Sequence, residues 1–205
     1  MLTFYFAQGT CALASLIALE EAGLAYEARK ISFKDNEQRS PEYLQINPKG
    51  RVPALATDQG VLTESPAILA YIAQIAPAAG LAPGDPFEFA RLQAFNNYIC
   101  STVHVNHAHG RRGSRWADDP AAHEAMKTKV PQTMTECFEL IEAKLFEGPW
   151  VMGEQYSVAD PYLFTMTGWL RGDGVDPMRF PKATAHYASM MERPAVQRAL
   201  TIEKA

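Results

Sequence analysis

Residues 77–86 read PAAGLAPGDP, and the chain on either side of this tract is written in two different patterns. Before it, short β-type runs alternate with runs of helical period; after it only the helical period continues. LTFYF at 2–6 is aromatic and β-prone, and reads as a strand. Residues 11–23 place Leu13, Leu16, Ile17 and Leu19 on one helical face and stop at Gly23, a helix C-terminal signal. Residues 25–33 alternate as a second strand, and Ser40-Pro41 opens a short helical turn over 40–47. Residues 52–57 and 61–63 flank a DQG turn and predict a hairpin, and 64–76 predicts a helix with Ser65 as N-cap. The order is βαβαββα. Helical periodicity then covers 86–110, 120–147, 157–171 and 179–202. The expectation is an α/β domain over 1–77, a linker over 78–85 and an all-α domain over 86–205.

The 205 residues carry 47% hydrophobic and 20% charged side chains, the balance of an ordinary globular chain with a sizeable core. A net charge of −4 argues against broad nucleic-acid binding, which needs many cations to displace phosphate counterions. No apolar stretch approaches the ~20 residues of a membrane span, and acidic Glu20 and Glu21 come early for a signal peptide. No membrane association and a cytoplasmic location are therefore expected. Cys11, Cys100 and Cys137 are sparse, odd in number and form no C-x-x-C, which fits reduced thiols better than a disulfide framework or a zinc ribbon.

Several residues have chemical potential. Cys11 follows the first strand and opens the first helix, where unsatisfied N–H groups and the helix dipole favour a thiolate. The same position equally suits a small buried hydrophobe. Val52-Pro53 enters a strand where proline supplies no ladder N–H, so an edge or a tight, cis turn is implied. A cis bond there would turn the Val52 backbone groups outward for an extended peptide, and a plain turn is the competing reading. Glu64-Ser65 joins an acid to a helix start that could hold a carboxylate, unless the hydroxyl is spent on capping. His104 and His107 share a helix face, about 60° apart, while His109 points elsewhere. Two converging imidazoles without an acidic third ligand one turn away make a poor metal site, so no metal is expected. Arg111, Arg112 and Arg115 read as a solvated surface patch ahead of a ligand or subunit contact. In YSVADPYLF, Ser157 and Asp160 form a capping-box-like helix start, with Asp160 expected to accept from the Ser157 N–H.

GTCALAS after the first strand, INPKGRVPAL, LTESPAILAYIA and YSVADPYLF, in this order and spacing, together resemble the cytosolic glutathione S-transferases, most closely the bacterial beta class. The resemblance runs nearly end to end. It implies a thioredoxin-like N-terminal domain that binds glutathione as co-substrate, a helical domain that supplies most of the electrophile pocket, and a homodimer with a detoxifying role. Carried over residue by residue, it puts Cys11 near the glutathione sulfur, with Lys34 after the second strand. Val52 would pair with the cysteinyl backbone, beside a cis Pro53. Glu64 and Ser65 would hold the γ-glutamyl end. Asn97 and His104 would approach the thiol from the first long helix, with Ser101 to Val103 between them. The segment HVNHAHGRRGSRW departs from the family pattern after its histidine. Thr10 offers a hydroxyl that could itself approach the thiol.

The implied reaction is attack of the glutathione thiolate on a small apolar electrophile, with the pocket walled by the first helix of the all-α domain and the region from Phe164 to Leu170. Cys11, Thr10 or His104 would lower the thiol pKa, or Cys11 would form a mixed disulfide. Two other classes fit the same sequence. One is a glutathione-dependent reductase, lyase or isomerase, since fold does not fix chemistry. The other is a non-catalytic binding module, which the presence of Val52, Pro53, Glu64 and Ser65 disfavours.

Overall fold

The computed structural model describes residues 1–205. Four strands form one mixed sheet in the order β2-β1-β3-β4: β1 (Leu2–Phe6), β2 (Tyr26–Lys30), β3 (Ala54–Thr57) and β4 (Gly60–Thr63). β1 pairs with β2 in parallel, Leu2 opposite Tyr26, and with β3 antiparallel, Phe4 opposite Leu55. β3 and β4 close the hairpin. Central β1 buries Phe4 and Phe6, whereas β2 at the edge carries exposed Glu27, Arg29 and Lys30, charges that blunt an open strand edge. The second strand is shorter than the 25–33 run because its partner β1 ends at Phe6, whose carbonyl takes the Ile31 N–H at 2.7 Å as the last bond of the ladder.

Helix α1 (Ala12–Ala22) is apolar on nearly every side, so it must be covered all round. It packs against α3 (Ser65–Ile75) in the N-terminal part, and against α7 (Ala159–Trp169) and α9 (Pro194–Lys204) beyond the linker. A single apolar cluster therefore runs from Phe4 through Leu16 and Ile17 to Tyr162, Phe164 and Leu170. The polar end of α1 and the loop before it fasten the same junction. Arg193 Nη2 donates to Glu21 Oε2 at 2.9 Å, Arg198 Nε to Glu20 Oε2 at 2.6 Å, and the Gly9 N–H to Glu203 Oε1 at 3.0 Å.

The short α2 (Pro41–Ile46) starts as its sequence predicts, with Ser40 Oγ accepting from the Tyr43 N–H at 3.1 Å. After the linker, α4 (Pro86–Tyr98) runs through one π turn (Ile99–Val103) into α5 (His104–Arg111). That turn shifts the helical register in front of the histidines, a placement common at functional sites. Helix α6 (Pro120–Leu140) ends in a second π turn (Ile141–Leu145), and α8 (Pro181–Met191) is parted from α9 at Pro194. The architecture is a thioredoxin-like α/β domain followed by an all-helical domain. No helix is long and apolar enough to cross a membrane.

Candidate active site

A cleft of about 660 Å³ opens where the loop before α1, the β3 entry and the start of α3 face α5, its following turn and α7. That volume is ordinary for a small-molecule site. Its floor is set by the loop ahead of α1. The Thr10 hydroxyl donates to the Ala7 carbonyl at 2.7 Å and accepts from the Ala12 N–H at 3.3 Å, so its proton is committed inside the loop. Cys11 follows as the N-cap of α1, its thiol 3.9 Å from the Val52 carbonyl. The helix-terminus argument anticipated a depressed thiol pKa. The structure corrects it: burial pushes the Cys11 thiol up to about 11, and the Ser65 hydroxyl and Arg112 only partly counter that. In the free protein Cys11 is a neutral S–H.

Val52 precedes the cleft's proline, and the Val52-Pro53 bond is cis. The segment before it is tied down by its Arg51 carbonyl, which accepts from Tyr43 Oη and Asn47 Nδ2, both at 2.7 Å. Gly50 holds φ +59°, and an added Cβ would come within 2.8 Å of the Arg39 guanidinium, so the chain passes directly beneath that side chain. No backbone carbonyl takes the Val52 N–H, which leaves a main-chain donor at the cleft. The start of α3 departs from expectation by one residue. Glu64, at φ 72°, is the N-cap, and Ser65 is the first helical residue; no side chain caps the helix. Glu64 instead pairs with Lys49 Nζ at 2.8 Å.

The opposite wall is aromatic and cationic. His107 stacks on Trp169 at 4.1 Å between ring centroids, and its Nδ1 lies 2.8 Å from the Asp173 carboxylate, which fixes the ring. His104 sits 5.3 Å from the same indole. Burial, followed by His107 and then Arg112, Arg115 and Arg51, pushes the His104 pKa down from 6.5 to about 3. His104 therefore works as a neutral ring. Unfolding frees it to take up a proton below pH 6.5, so this group removes stability as pH falls from 6.5 toward about 3. Urea melts across that range should lose part of their acid slope in His104→Asn, and conjugation rates between pH 5 and 8 should show no inflection from this ring.

Thr10, Cys11, Val52, Pro53, Glu64, Ser65 and His104 thus line one cleft. Lys34, Asn97 and Ser101 lie outside its lining. Lys34 projects into solvent where its neighbour Phe33 reaches the cleft; Asn97 is on the outer face of α4; the Ser101 hydroxyl donates to the Asn97 carbonyl at 2.7 Å. Of the region from Phe164 to Leu170 only Trp169 reaches the cleft; Phe164 is buried against Tyr187. The arginines at the end of α5 and beyond it are not a detached surface patch: Arg111, Arg112 and Arg115 line the cleft together with Arg39 and Arg51. Cys100 and Tyr162 also line it, and neither carries a local sequence signal. At the start of α7 the expected cap forms, with Asp160 Oδ2 accepting from the Ser157 N–H at 2.7 Å.

Comparison with known proteins places this geometry in context. Residues 2–74 match the glutathione S-transferase N-terminal domain model, and 93–194 the glutathione S-transferase C-terminal domain model. Glutathione S-transferase GstA of Escherichia coli O157:H7 is 30% identical over 202 residues, covering 97% of both chains. A glutathione transferase homologue from Sulfitobacter, solved with bound glutathione, superposes with a TM-score of 0.95 at 47% identity, over 98% of this chain and 97% of that one. The beta-class glutathione S-transferase of Sphingomonas chungbukensis gives 0.85 at 33% identity over 98% of each.

Proposed function

The chain belongs to the glutathione S-transferase family and is a glutathione transferase enzyme, and from that premise we propose that it conjugates the glutathione thiolate to a small electrophile with an apolar body. Residues 1–77 form the glutathione-binding part and 86–205 supply the electrophile side, joined by 78–85. Glutathione lies extended along Val52, whose free N–H pairs with the cysteinyl backbone as an added strand would. Its γ-glutamyl end meets Ser65 and the N–H groups opening α3, with Glu64 toward the ammonium. The electrophile packs on the Trp169 and His107 rings. Holding both reactants in one cleft supplies much of the rate through proximity. The working form is a homodimer in the cytoplasm with a detoxifying role.

The observation that carries the mechanism is the state of Cys11: a buried neutral thiol whose hydrogen-bond partner within the chain is the Val52 carbonyl at 3.9 Å. A neutral S–H donates to an anionic sulfur; it does not compete with it as a nucleophile. The Thr10 hydroxyl already donates its hydrogen bond to the Ala7 carbonyl and His104 carries no positive charge to offer, whereas the Cys11 S–H is held only by the Val52 carbonyl at 3.9 Å, so Cys11 is the donor assigned to the glutathione thiolate. A hydrogen bond to a charged group contributes about 1.5–3 kcal/mol. Cys11→Ala should therefore raise the apparent pKa of bound glutathione by about one to two units and lower kcat/KM roughly tenfold or more below that pKa. An unchanged pH–rate profile in Cys11→Ala would remove the donor role. Intact-mass spectra of the wild type in glutathione disulfide then distinguish a redox role, since a mixed disulfide at Cys11 adds one glutathionyl group.

A further inference from the structure

Within that glutathione-site reading, on which this step rests, the cationic wall narrows the class of electrophile. Arg39, Arg51, Arg111, Arg112 and Arg115 all line the cleft, and none makes an ion pair or a side-chain hydrogen bond within the chain. The arginines elsewhere, Arg171 apart, each reach a carboxylate: Arg29 to Glu27, Arg91 to Glu88, Arg179 to Glu139, Arg193 to Glu21, Arg198 to Glu20. The only acid lining the cleft is Glu64, and Lys49 already neutralises it. A chain with net charge −4 thus gathers five of its six unpaired arginines at the one place where a ligand is to bind. Such a cleft focuses field lines and raises the local concentration of anions.

Glutathione itself brings anions, but they do not match the distribution. Arg39 and Arg51 belong to the N-terminal part, flanking Gly50, on the side assigned to the peptide. Arg112 and Arg115 belong to the helical part, on the turn that follows α5, and line the cleft together with the stacked His107 and Trp169. Arg112 lies close enough to both Cys11 and His104 to depress their pKa values. Arg115 is lowered to about 10 by burial and by its neighbours Arg112, Arg51 and Arg39, a mutual repulsion that an anion would relieve. Two guanidinium groups and an indole lining one cleft fit a flat ring bearing an acid: the ring stacks and the acid takes the forked donors. We propose that the electrophile conjugated in this cleft is an aromatic or conjugated molecule bearing a carboxylate, which Arg112 and Arg115 bind.

The test compares two glutathione conjugates differing only in charge, S-(4-carboxybenzyl)glutathione and S-(4-carbamoylbenzyl)glutathione, by calorimetric titration of the wild-type protein beside glutathione alone. Glutathione's own carboxylates are common to both ligands and cancel. The carboxylate is expected to bind roughly tenfold tighter or more, as a charged hydrogen bond would give, with the ratio shrinking as salt rises. Arg112→Gln and Arg115→Gln should each bring the ratio toward one, while Arg112→Lys, keeping charge without the fork, retains part of it. Equal affinity of the two conjugates for the wild type overturns the inference. So does glutathione binding with neither conjugate accepted. Failure of glutathione itself to bind instead overturns the reading of the site on which the inference rests.

Discussion

Asp160→Ala is expected to destabilise the protein by about 3–5 kcal/mol, the cost of leaving buried polar partners without their charge, and to show it as a lower urea midpoint with little change in m. The carboxylate is fully buried and takes four hydrogen bonds. Val151 N–H donates to Oδ1 at 2.8 Å, Ser157 N–H and Oγ–H donate to Oδ2 at 2.7 and 3.2 Å, and His186 Nε2 lies 3.0 Å from Oδ1. Alanine orphans all of them in a region that water does not reach, and each unmet buried donor costs about 1–3 kcal/mol. The bonds converge from three places in the chain: the turn before α7, the segment at Val151, and α8. Their loss therefore frees the entry of α7, a helix buried from Ala159 through Thr167 that carries Tyr162 and Trp169 to the cleft. Asp160→Asn keeps one oxygen for two sets of donors and should fall between wild type and alanine. A midpoint shift equivalent to less than about 1 kcal/mol would mean that backbone relaxation or water replaces the carboxylate.

The fold was legible where local chemistry and period agreed. The switch at residues 77–86 from alternating β and α runs to continuous helical period is a property of neighbouring residues. So are the Ser40-Pro41 start of α2 and the Ser157–Asp160 box, and all three are found in the structure. Ser65 was misplaced by one residue because the N-cap is Glu64, in a backbone conformation (φ 72°) that favours glycine and that no local preference would select. The thiol of Cys11 defeated the dipole argument for a different reason. A helix terminus acts over the first turn, whereas the burial that dominates comes from α7, α3 and the Val52 segment, distant in sequence. The arginine cluster was the least legible feature. Arg39 and Arg51 reach Arg112 and Arg115 only because the two domains close around one cleft, and the π turn at Ile99–Val103 sets which way the residues after it face. Without that closure, an arginine pair on a loop has the sequence signature of any solvated surface.

Ser65→Ala is expected to weaken glutathione binding by about 10–100-fold while leaving the thermal midpoint nearly unmoved, and the pairing of those two results is what makes it informative. A serine at an N-cap loses about 0.5–2 kcal/mol of stability on truncation, because its oxygen satisfies one of the helix's orphan N–H groups. Ser65 is instead the first residue of α3, and no side chain caps that helix, so truncation removes no cap. What it removes is a hydroxyl beside N–H groups that α3 leaves unmet, in the cleft lining, where the glutathione γ-glutamyl carboxylate is proposed to sit. A hydrogen bond to a charged group at about 1.5–3 kcal/mol sets the size of the affinity loss. The effect should fall on the Kd and KM for glutathione far more than on kcat at saturation, because the contact is made equally in ground and transition states. The same hydroxyl partly counters the upward push of burial on Cys11, so in the free Ser65→Ala protein Cys11 should be alkylated by iodoacetamide more slowly than in wild type at equal pH. A drop of several degrees in the thermal midpoint with glutathione affinity intact would return Ser65 to capping and leave the carboxylate to the backbone alone.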